Sequence, residues 1–380
     1  MNILKYICLP GLLVSGDIQT VSAVESKTDK NPNILVILID DAGYNDFGFM
    51  GSKEMQTPNI DALTSEGVVF TDAHVAATVS SPSRACLITG RYGHRFGYEC
   101  NLSDRTNGLP LEEETIAEVF KTNGYRTAAI GKWHLGSRDE QHPNNRGFDL
   151  FYGMKAGGRD YFYNEKKSDR PGDERNLLLN DRQVKFEKYL TDAFSEKAVE
   201  FINESSQPFM MYLAYNVVHT PMQATDEDMA KFEGHPRQKL AAMTYALDRG
   251  VGTVIRGLKD SGKFDNTLIF FLSDNGGATT NQSSNYPLKG FKGNKFEGGH
   301  RVPYFVVWKN GIPAGKPYDG LVSSLDIFAT AIDAASISKT RNRLDGVSLL
   351  PYLKGKKGEP IKCYTGVKWI HVLFVREIIN

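Results

Sequence analysis

The sequence predicts an α/β protein built on a large, mainly parallel β-sheet with helices on both faces. Two observations carry this prediction. Several short, nearly continuous apolar runs are typical of strands that are buried on both faces. Stretches with helical periodicity separate most of these runs, and alternating strands and helices favour a parallel sheet. With 380 residues, 41% of them hydrophobic, the chain is long enough for one large domain or two ordinary ones.

The elements follow one another in a regular order along the chain. The predicted strands are residues 34–39, 126–130, 209–215, 268–272 and 304–308. The predicted helices are residues 111–123, 189–203 and 240–261, and each precedes one of the middle three strands. The sequence contains neither an internal repeat nor a low-complexity segment.

The N-terminus has the features of a signal peptide over residues 1–23. Lys5 supplies a positive charge, residues 7–14 are mostly apolar, and Val21-Ser22-Ala23 fits a small-residue cleavage site. We therefore expect export to a periplasm or the extracellular space; the alternative is a frayed cytoplasmic N-terminus. Residues 24–32 are polar and predict a linker. No later segment reaches the ~20 apolar residues that span a membrane, so the protein is not expected to be membrane-spanning.

Charge and cysteine content reduce the number of functions that the chain could have. Lys+Arg and Asp+Glu balance at 45 each, so the chain as a whole does not attract nucleic acid, and we expect no such partner. Cys8 lies in the predicted signal peptide, and Cys86, Cys100 and Cys363 form no CxxC pair. Neither a zinc site nor a disulfide framework is indicated. A Cys86–Cys100 disulfide and buried free thiols both remain open.

Acidic and amide side chains follow two of the predicted strands. Asp40 and Asp41 come directly after the first strand, and Asp274 and Asn275 come after the fourth. Ligands bind outside the carboxyl ends of strands in open α/β sheets. Clustered carboxylates repel one another unless a cation neutralises them, and an oxygen-only set suits Ca²⁺, or less well Mg²⁺, rather than zinc or copper. The alternative is that these residues only form turns.

A second group of side chains is cationic or carries imidazole. Together with a divalent metal, these residues would form a positive pocket for a small oxyanion such as sulfate or phosphate. For a single Lys or Arg the alternative is a solvated surface charge, and for each histidine it is a structural role near a turn. The group consists of Arg84, Lys132, His134, His219 and Lys292.

Ser80 is the candidate nucleophile. Pro82 suits the first position of a helix, with Ser80 or Ser81 at its N-cap, and a helix N-terminus favours anions. The simpler alternative is a capped helix without chemistry. No GxSxG motif surrounds Ser80, so the nucleophile elbow of α/β-hydrolases is not supported.

The segment around Ser80 resembles the signature of the formylglycine-dependent sulfatases, in its serine variant. Ser80-Ser81-Pro82-Ser83-Arg84 is followed by Thr89-Gly90-Arg91, as in that signature. Further segments resemble family motifs in family order between about Asn33 and Leu350. They are Asp40-Asp41-Ala42-Gly43, Thr57-Pro58-Asn59-Ile60-Asp61, Gly131-Lys132-Trp133-His134-Leu135-Gly136, His219-Thr220-Pro221, Ser273-Asp274-Asn275-Gly276, Lys289-Gly290-Phe291-Lys292 and Glu297-Gly298-Gly299-His300-Arg301-Val302-Pro303.

The resemblance implies a role for each matching residue. Ser80 would be oxidised to formylglycine (3-oxoalanine), whose hydrate attacks sulfur with one hydroxyl and expels sulfate with the other. Asp40, Asp41, Asp274 and Asn275, with the oxygen at position 80, would bind Ca²⁺. The other catalytic residues would be Arg84 and Lys132, which orient the hydrate, His134 as the base for elimination, and His219 and Lys292 on the leaving oxygen. Lys132, His219 and Lys292 would also bind the substrate sulfate.

The same resemblance implies an alkaline-phosphatase-like fold with a large mixed sheet, a catalytic domain over residues 33–350 and a small C-terminal domain. Residues 351–380 are too few for that whole domain and are interpreted as a truncated remnant of it. The serine variant implies a partner, a serine-type maturating enzyme of the kind known from bacteria.

Exported bacterial sulfatases commonly act on sulfated glycans, so a sulfated carbohydrate is the expected substrate. Tyr161, Phe162 and Tyr163 are predicted to stack on sugar rings, the alternative being ordinary packing. A phosphoester hydrolase of the same superfamily that uses unmodified Ser80 is the alternative enzyme. A degenerate anion-binding relative is the non-enzymatic alternative, which the intact catalytic positions disfavour.

Overall fold

The computed structural model describes residues 31–101 and 108–360. The predicted signal peptide, Cys8, most of the predicted linker, Cys363 and the segment from residue 361 onward lie outside the described residues. Within these ranges the strands are β1 (Asn33–Ile39), β2 (Val68–Phe70), β3 (Ala73–His74), β4 (Arg126–Lys132), β5 (Leu150–Met154), β6 (Leu178–Leu179), β7 (Arg182–Gln183), β8 (Phe209–Ala214), β9 (Thr267–Ser273), β10 (Tyr304–Val307) and β11 (Val322–Ser323).

The helices flank the strands in the order that the sequence predicts. They are α1 (Pro58–Thr64), α2 (Ser80–Thr89), α3 (Ile116–Thr122), α4 (Leu190–Glu204), α5 (Asp226–Ala230), α6 (Gln238–Asp260), α7 (Asp326–Ala334) and α8 (Leu350–Leu353). None of the described helices is both long and apolar enough to cross a bilayer.

One nine-stranded sheet organises the described part of the chain, in the order β2-β10-β9-β1-β8-β4-β5-β6-β7. The five central strands, β9, β1, β8, β4 and β5, run parallel to one another. At the edges, β10 pairs antiparallel with β9 and β2 with β10, and β6 pairs antiparallel with β5 and β7 with β6. The prediction of a mixed, mainly parallel sheet is confirmed. A separate parallel pair joins β11 to β3.

Helices cover both faces of the sheet because both faces of the central strands are apolar. In β1, Leu35 and Ile37 pack with helices α4 and α6 in one core cluster, whereas Val36 and Leu38 pack with α3 and α7 in the other. Side chains of a strand alternate between faces, so a continuous apolar run is what a sheet covered on both sides requires.

Two predicted boundaries are wrong. Helix α3 begins at Ile116 and not at residue 111, because Thr115 caps it: the Thr115 hydroxyl accepts the N–H of Glu118, and the Glu118 carboxylate accepts the N–H of Thr115. This capping box sets the first turn. Helix α2 begins at Ser80 with Val79 as its N-cap, so Ser80 lies inside the first turn and is not the capping residue.

The cysteine alternatives are also decided within the described residues. Cys86 and Cys100 are both free thiols, so no disulfide joins them. Cys86 is buried, its sulfur accepts the N–H of Gly93 at 3.1 Å, and burial raises the pKa of its thiol to about 12. Cys86 therefore acts as a small apolar packing residue and not as a reactive thiolate.

Candidate active site

The predicted acidic residues meet at one edge of the sheet. Strands β1 and β9 pair in parallel with Ile39 opposite Ser273, so Asp40 and Asp274, which follow them, lie side by side. Asp41 has a left-handed backbone, with φ of 62°, a conformation that aspartate tolerates better than most residues. Carboxylate oxygens of Asp40, Asp41 and Asp274 lie within 4.8 Å of one another, and all three side chains are buried.

Ser80 and Asn275 join this cluster. The Ser80 hydroxyl lies 3.2 Å from Asp40 Oδ1 and 3.1 Å from Asn275 Oδ1. Asn275 Nδ2 donates to Asp41 Oδ1 at 2.8 Å, which fixes the orientation of the amide so that its oxygen faces Ser80. The structure therefore places the predicted nucleophile in contact with two of the predicted metal ligands.

Two buried cations neutralise the cluster from the side of the sheet. Arg84, on helix α2, donates from Nε and Nη2 to Asp274 Oδ2 at 3.0 and 2.8 Å, and Lys132 Nζ lies 2.7 Å from Asp40 Oδ2. All four side chains are fully buried. Burial alone raises the pKa of Asp40, but Lys132, His219 and Arg84 outweigh it, so this pKa lies below its ordinary value.

Lys292 and His219 approach the cluster from the solvent side. Lys292 Nζ lies 2.7 Å from Asp41 Oδ1, and His219 Nε2 lies 3.8 Å from Asp41 Oδ2. His219 Nδ1 lies 2.6 Å from the carbonyl of Thr220. Since a carbonyl only accepts, Nδ1 carries the proton, and Nε2 is the nitrogen that faces the pocket.

His134 differs from His219 in its surroundings. It follows strand β4 with a φ of 57°, and its Nδ1 has no hydrogen-bond partner among the described residues. Burial, followed by the positive charges of Lys132 and Arg84, lowers the pKa of His134 well below its ordinary value. The ring is therefore neutral near pH 7 and available to accept a proton.

The donor set fits a hard divalent cation. Every group in the cluster offers oxygen, and no thiolate or imidazole belongs to it, which suits Ca²⁺ or Mg²⁺. The three carboxylates face three cationic side chains, Arg84, Lys132 and Lys292. The site by itself is thus nearly neutral, and a bound divalent ion would leave an excess of positive charge for an anionic substrate.

A second group with the composition of a metal site lies elsewhere among the described residues, at Asp72, His74 and Glu297. Here Arg301 lies 3.6 Å from Asp72 and 3.2 Å from Glu297, so a guanidinium already neutralises both carboxylates. His74 Nδ1 also contacts His300 Nδ1 at 2.9 Å. We interpret this group as a structural link between strand β3 and the loop that ends at Arg301.

Comparisons with known proteins agree with this geometry. The Sulfatase family profile matches residues 32–337. The chain belongs to the sulfatase family. It is 36% identical to the uncharacterized sulfatase YdeN of Escherichia coli, over 91% of this chain and 70% of that protein. It is 33% identical to N-acetylgalactosamine-6-sulfatase of Canis lupus familiaris, over 88% of this chain and 69% of that protein.

A solved structure gives the same result. Ps i-CgsB in complex with k-i-k-neocarrahexaose is 42% identical to this sulfatase, with a TM-score of 0.82 over 88% of this chain and 78% of the other. This sulfatase is therefore a sulfuric ester hydrolase with the alkaline-phosphatase-like fold that the sequence predicted. Sulfatases generally use formylglycine and a divalent metal, and the buried acidic cluster is a suitable place for the metal.

One predicted substrate contact is wrong. Tyr161 is fully buried, and its hydroxyl donates to the main-chain carbonyls of Asn216 and His219, so it cannot stack on a sugar. Tyr163 packs edge-on against Phe186. Of the three predicted aromatics, Phe162 is the one with a large exposed fraction, 39%.

Gly157 and Gly158, which follow strand β5, also belong to the site, although the sequence did not predict them. A Cβ on Gly157 would lie 2.7 Å from His134 Nε2, and one on Gly158 would lie 3.1 Å from His219 Cε1. Each glycine thus allows the backbone to approach one of the histidines. A pair of glycines after a strand is a signal of close backbone approach, although it does not say what is approached.

Proposed function

We propose that this sulfatase removes sulfate from a sulfated carbohydrate by means of a formylglycine made from Ser80. The observation that carries the proposal is the position of Ser80 Oγ, 3.1–3.2 Å from Asn275 and Asp40, in an oxygen-only cluster surrounded by cations. The hydrated aldehyde supplies two hydroxyl groups on one carbon, one to take up the sulfuryl group and one to release it.

Asp40, Asp41, Asp274 and Asn275, with the oxygen at position 80, would hold Ca²⁺. The flexible, carboxylate-rich coordination that Ca²⁺ accepts suits four side chains from two strand ends better than the strict octahedron of Mg²⁺. The ion supplies positive charge close to the sulfate oxygens. Lys292 and His219 would face the same oxygens from the solvent side.

The histidines would take opposite roles in proton transfer. His134, neutral because its pKa is lowered, would accept a proton from the residue at position 80. His219 directs Nε2 towards the pocket and, when doubly protonated, would donate from this nitrogen to the leaving oxygen. Arg84 and Lys132 are held by Asp274 and Asp40 and would orient the side chain at position 80.

A loop beside the site supports a sulfated carbohydrate as the substrate. Lys292 belongs to it, and the N–H of Gly293 bonds the carbonyl of Thr78, two residues before Ser80. The loop exposes three aromatic side chains, Tyr286 at 73%, Phe291 at 43% and Phe296 at 37%, and further lysines, Lys289 and Lys295. Exposed rings stack on sugars, and lysines pair with sulfates. Binding of a neocarrahexaose by the 42%-identical Ps i-CgsB points to the same class.

The signal-like residues 1–23 support export to the periplasm or extracellular space, and the serine at position 80 calls for a serine-type maturating enzyme. Residues 33–350 would form the catalytic domain.

The test is a substrate panel for protein made together with such a maturating enzyme. We expect sulfate release from sulfated oligosaccharides to exceed release from simple aryl sulfates in kcat/KM. Activity on aryl sulfates alone would contradict the carbohydrate proposal. Rapid turnover of phosphate esters by protein with unmodified Ser80 would replace the sulfatase mechanism by that of a phosphoester hydrolase.

A further inference from the structure

A buried tyrosine, Tyr161, contacts the main chain of the loop that carries His219 at two carbonyls. This loop follows strand β8, and the hydroxyl of Tyr161 lies 2.6 Å from the carbonyl of Asn216 and 2.9 Å from that of His219. A phenol has one hydrogen, so the two carbonyls share it. Burial raises the pKa of Tyr161 well above its ordinary value, so the hydroxyl remains a donor.

Tyr161 is itself fixed from several sides. Its N–H donates to Gln223 Oε1 at 2.8 Å, and Gln223 Nε2 donates to Asp160 at 3.0 Å. Its ring stacks on that of Tyr189, with centroids 5.4 Å apart and planes 14° apart. These contacts leave the hydroxyl little freedom, so the phenol restrains both carbonyls, while Asn281 Nδ2 holds the carbonyl of Val218 between them at 2.9 Å.

Residues 157–161 form a short segment that also lies against the rings of His134 and His219. It begins at Gly157 and Gly158, which lie against His134 and His219, and it ends at Tyr161. Between them, Arg159 forms a fully buried ion pair with Asp169, in which Arg159 Nη2 lies 2.8 Å from each carboxylate oxygen. Residues 157–161 therefore form one anchored unit that touches His219 both at its ring and at its main chain.

We propose that Tyr161 is a positioning residue for His219, and that it sets the distance between His219 Nε2 and the leaving oxygen of the substrate. This proposal rests on the proposed function, because it assigns His219 to the leaving group. A tyrosine that only fills the core would affect every substrate equally. A positioning residue would affect most strongly those substrates whose leaving oxygen needs a proton.

The test compares Tyr161→Phe with wild type on a series of phenyl sulfates. We expect kcat to fall roughly tenfold for weakly acidic leaving phenols such as 4-methoxyphenol, since general acid catalysis contributes about 10²–10⁴-fold. For 4-nitrophenyl sulfate, whose phenolate leaves without a proton, we expect a change of less than about twofold by the same reasoning. An equal loss across the series would overturn the proposal.

A double-mutant cycle with His219→Ala gives an independent readout. If Tyr161 acts through His219, the substitution Tyr161→Phe has no further effect on kcat once the imidazole is gone, whereas independent effects would multiply. The matched control is Tyr125→Phe, since Tyr125 is also buried and its hydroxyl donates to a main-chain carbonyl, that of Pro32 at 3.1 Å, away from the loop that carries His219. Multiplying effects of Tyr161→Phe and His219→Ala would overturn the proposal.

Two further arrangements keep the test decisive. Should Tyr161→Phe not accumulate as folded protein, Gly158→Ala displaces the same imidazole from the same segment and should reproduce the dependence on leaving group. Should wild type cleave phosphate and not sulfate esters, the proposed function fails. The same cycle with phenyl phosphates then still shows whether Tyr161 acts through His219.

Discussion

Replacing Asp274 by asparagine tests the ion pair and the metal site together. The change alters one atom and little volume. Asp274 Oδ2 accepts two N–H groups of Arg84, and both side chains are fully buried. The other carboxylate near Arg84, Asp40, lies 3.6 Å away and already pairs with Lys132. Loss of one partner of a buried pair costs about 3–5 kcal/mol. Because asparagine keeps one acceptor oxygen, we expect a loss of about 3 kcal/mol in the free energy of unfolding.

Urea denaturation with and without Ca²⁺ separates the loss of the Arg84–Asp274 ion pair from the loss of a metal ligand. In excess chelator the variant should show the loss from the broken pair alone. Ca²⁺ at one hundred times its Kd should add about 2.7 kcal/mol to the wild type, and the variant, which lacks one of the proposed ligands, should gain less than half of that. Asp265→Asn is the control, since Asp265 pairs with Lys309 at the surface and should behave as wild type. An equal gain from Ca²⁺ in Asp274→Asn and wild type would refute the metal assignment.

Three further predictions concern separate parts of the molecule. Gly157→Ala places a methyl group 2.7 Å from His134 Nε2 and should lower kcat by about tenfold or more, whereas Gly315→Ala, which meets nothing within 4 Å, should not; equal kcat values would contradict this contact. Phe291→Ala should raise KM for a sulfated oligosaccharide by about tenfold without changing KM for 4-nitrophenyl sulfate, and an equal change in both would count against the loop as a sugar site. Burial raises the pKa of Asp326 to about 7, so the folded protein binds a proton that the unfolded chain releases above about pH 4; the stability this gives is present at low pH and declines up to about pH 7. Denaturation at several pH values should show that the free energy of unfolding of Asp326→Asn rises relative to that of wild type between about pH 4 and pH 7, by on the order of 4 kcal/mol. A pH-independent difference would argue against a buried protonated carboxyl.

The sequence predicted the central strands and the grouping of the acidic residues for the same physical reason. Strands that are buried on both faces must be apolar throughout, so β1, β8 and β9 are visible as continuous runs. Parallel strands place their carboxyl ends at one edge, which brings Asp41 next to Asp274 although 233 positions separate them. The short antiparallel strands β2, β6 and β7 have two or three residues each and too little periodicity to be recognised.

The side-chain environment could not be predicted in the same way. Tyr161 lies among polar residues in the sequence. Only the packing of residues 157–161 against the loop that carries His219 shows that it is buried. The start of α3 is a different case, because Thr115 and Glu118 have the Thr-x-x-Glu spacing of a capping box, a local signal that could have placed the helix start. Local pattern predicts elements, whereas contacts between distant residues, such as Tyr161 and Asn216 at a separation of 55 positions, decide which side of an element meets the site.

The most direct test of the central claim is a mass spectrum of the peptide that contains residue 80, recorded with sulfate release for the same preparations. Protein made beside a serine-type maturating enzyme should have lost two hydrogens at Ser80 and should release sulfate. Protein made without this enzyme should carry plain serine and be inactive, as should Ser80→Ala in either host, and Ser80→Cys should be active in a host that modifies cysteine. Sulfate release by protein whose Ser80 is unmodified would contradict the account.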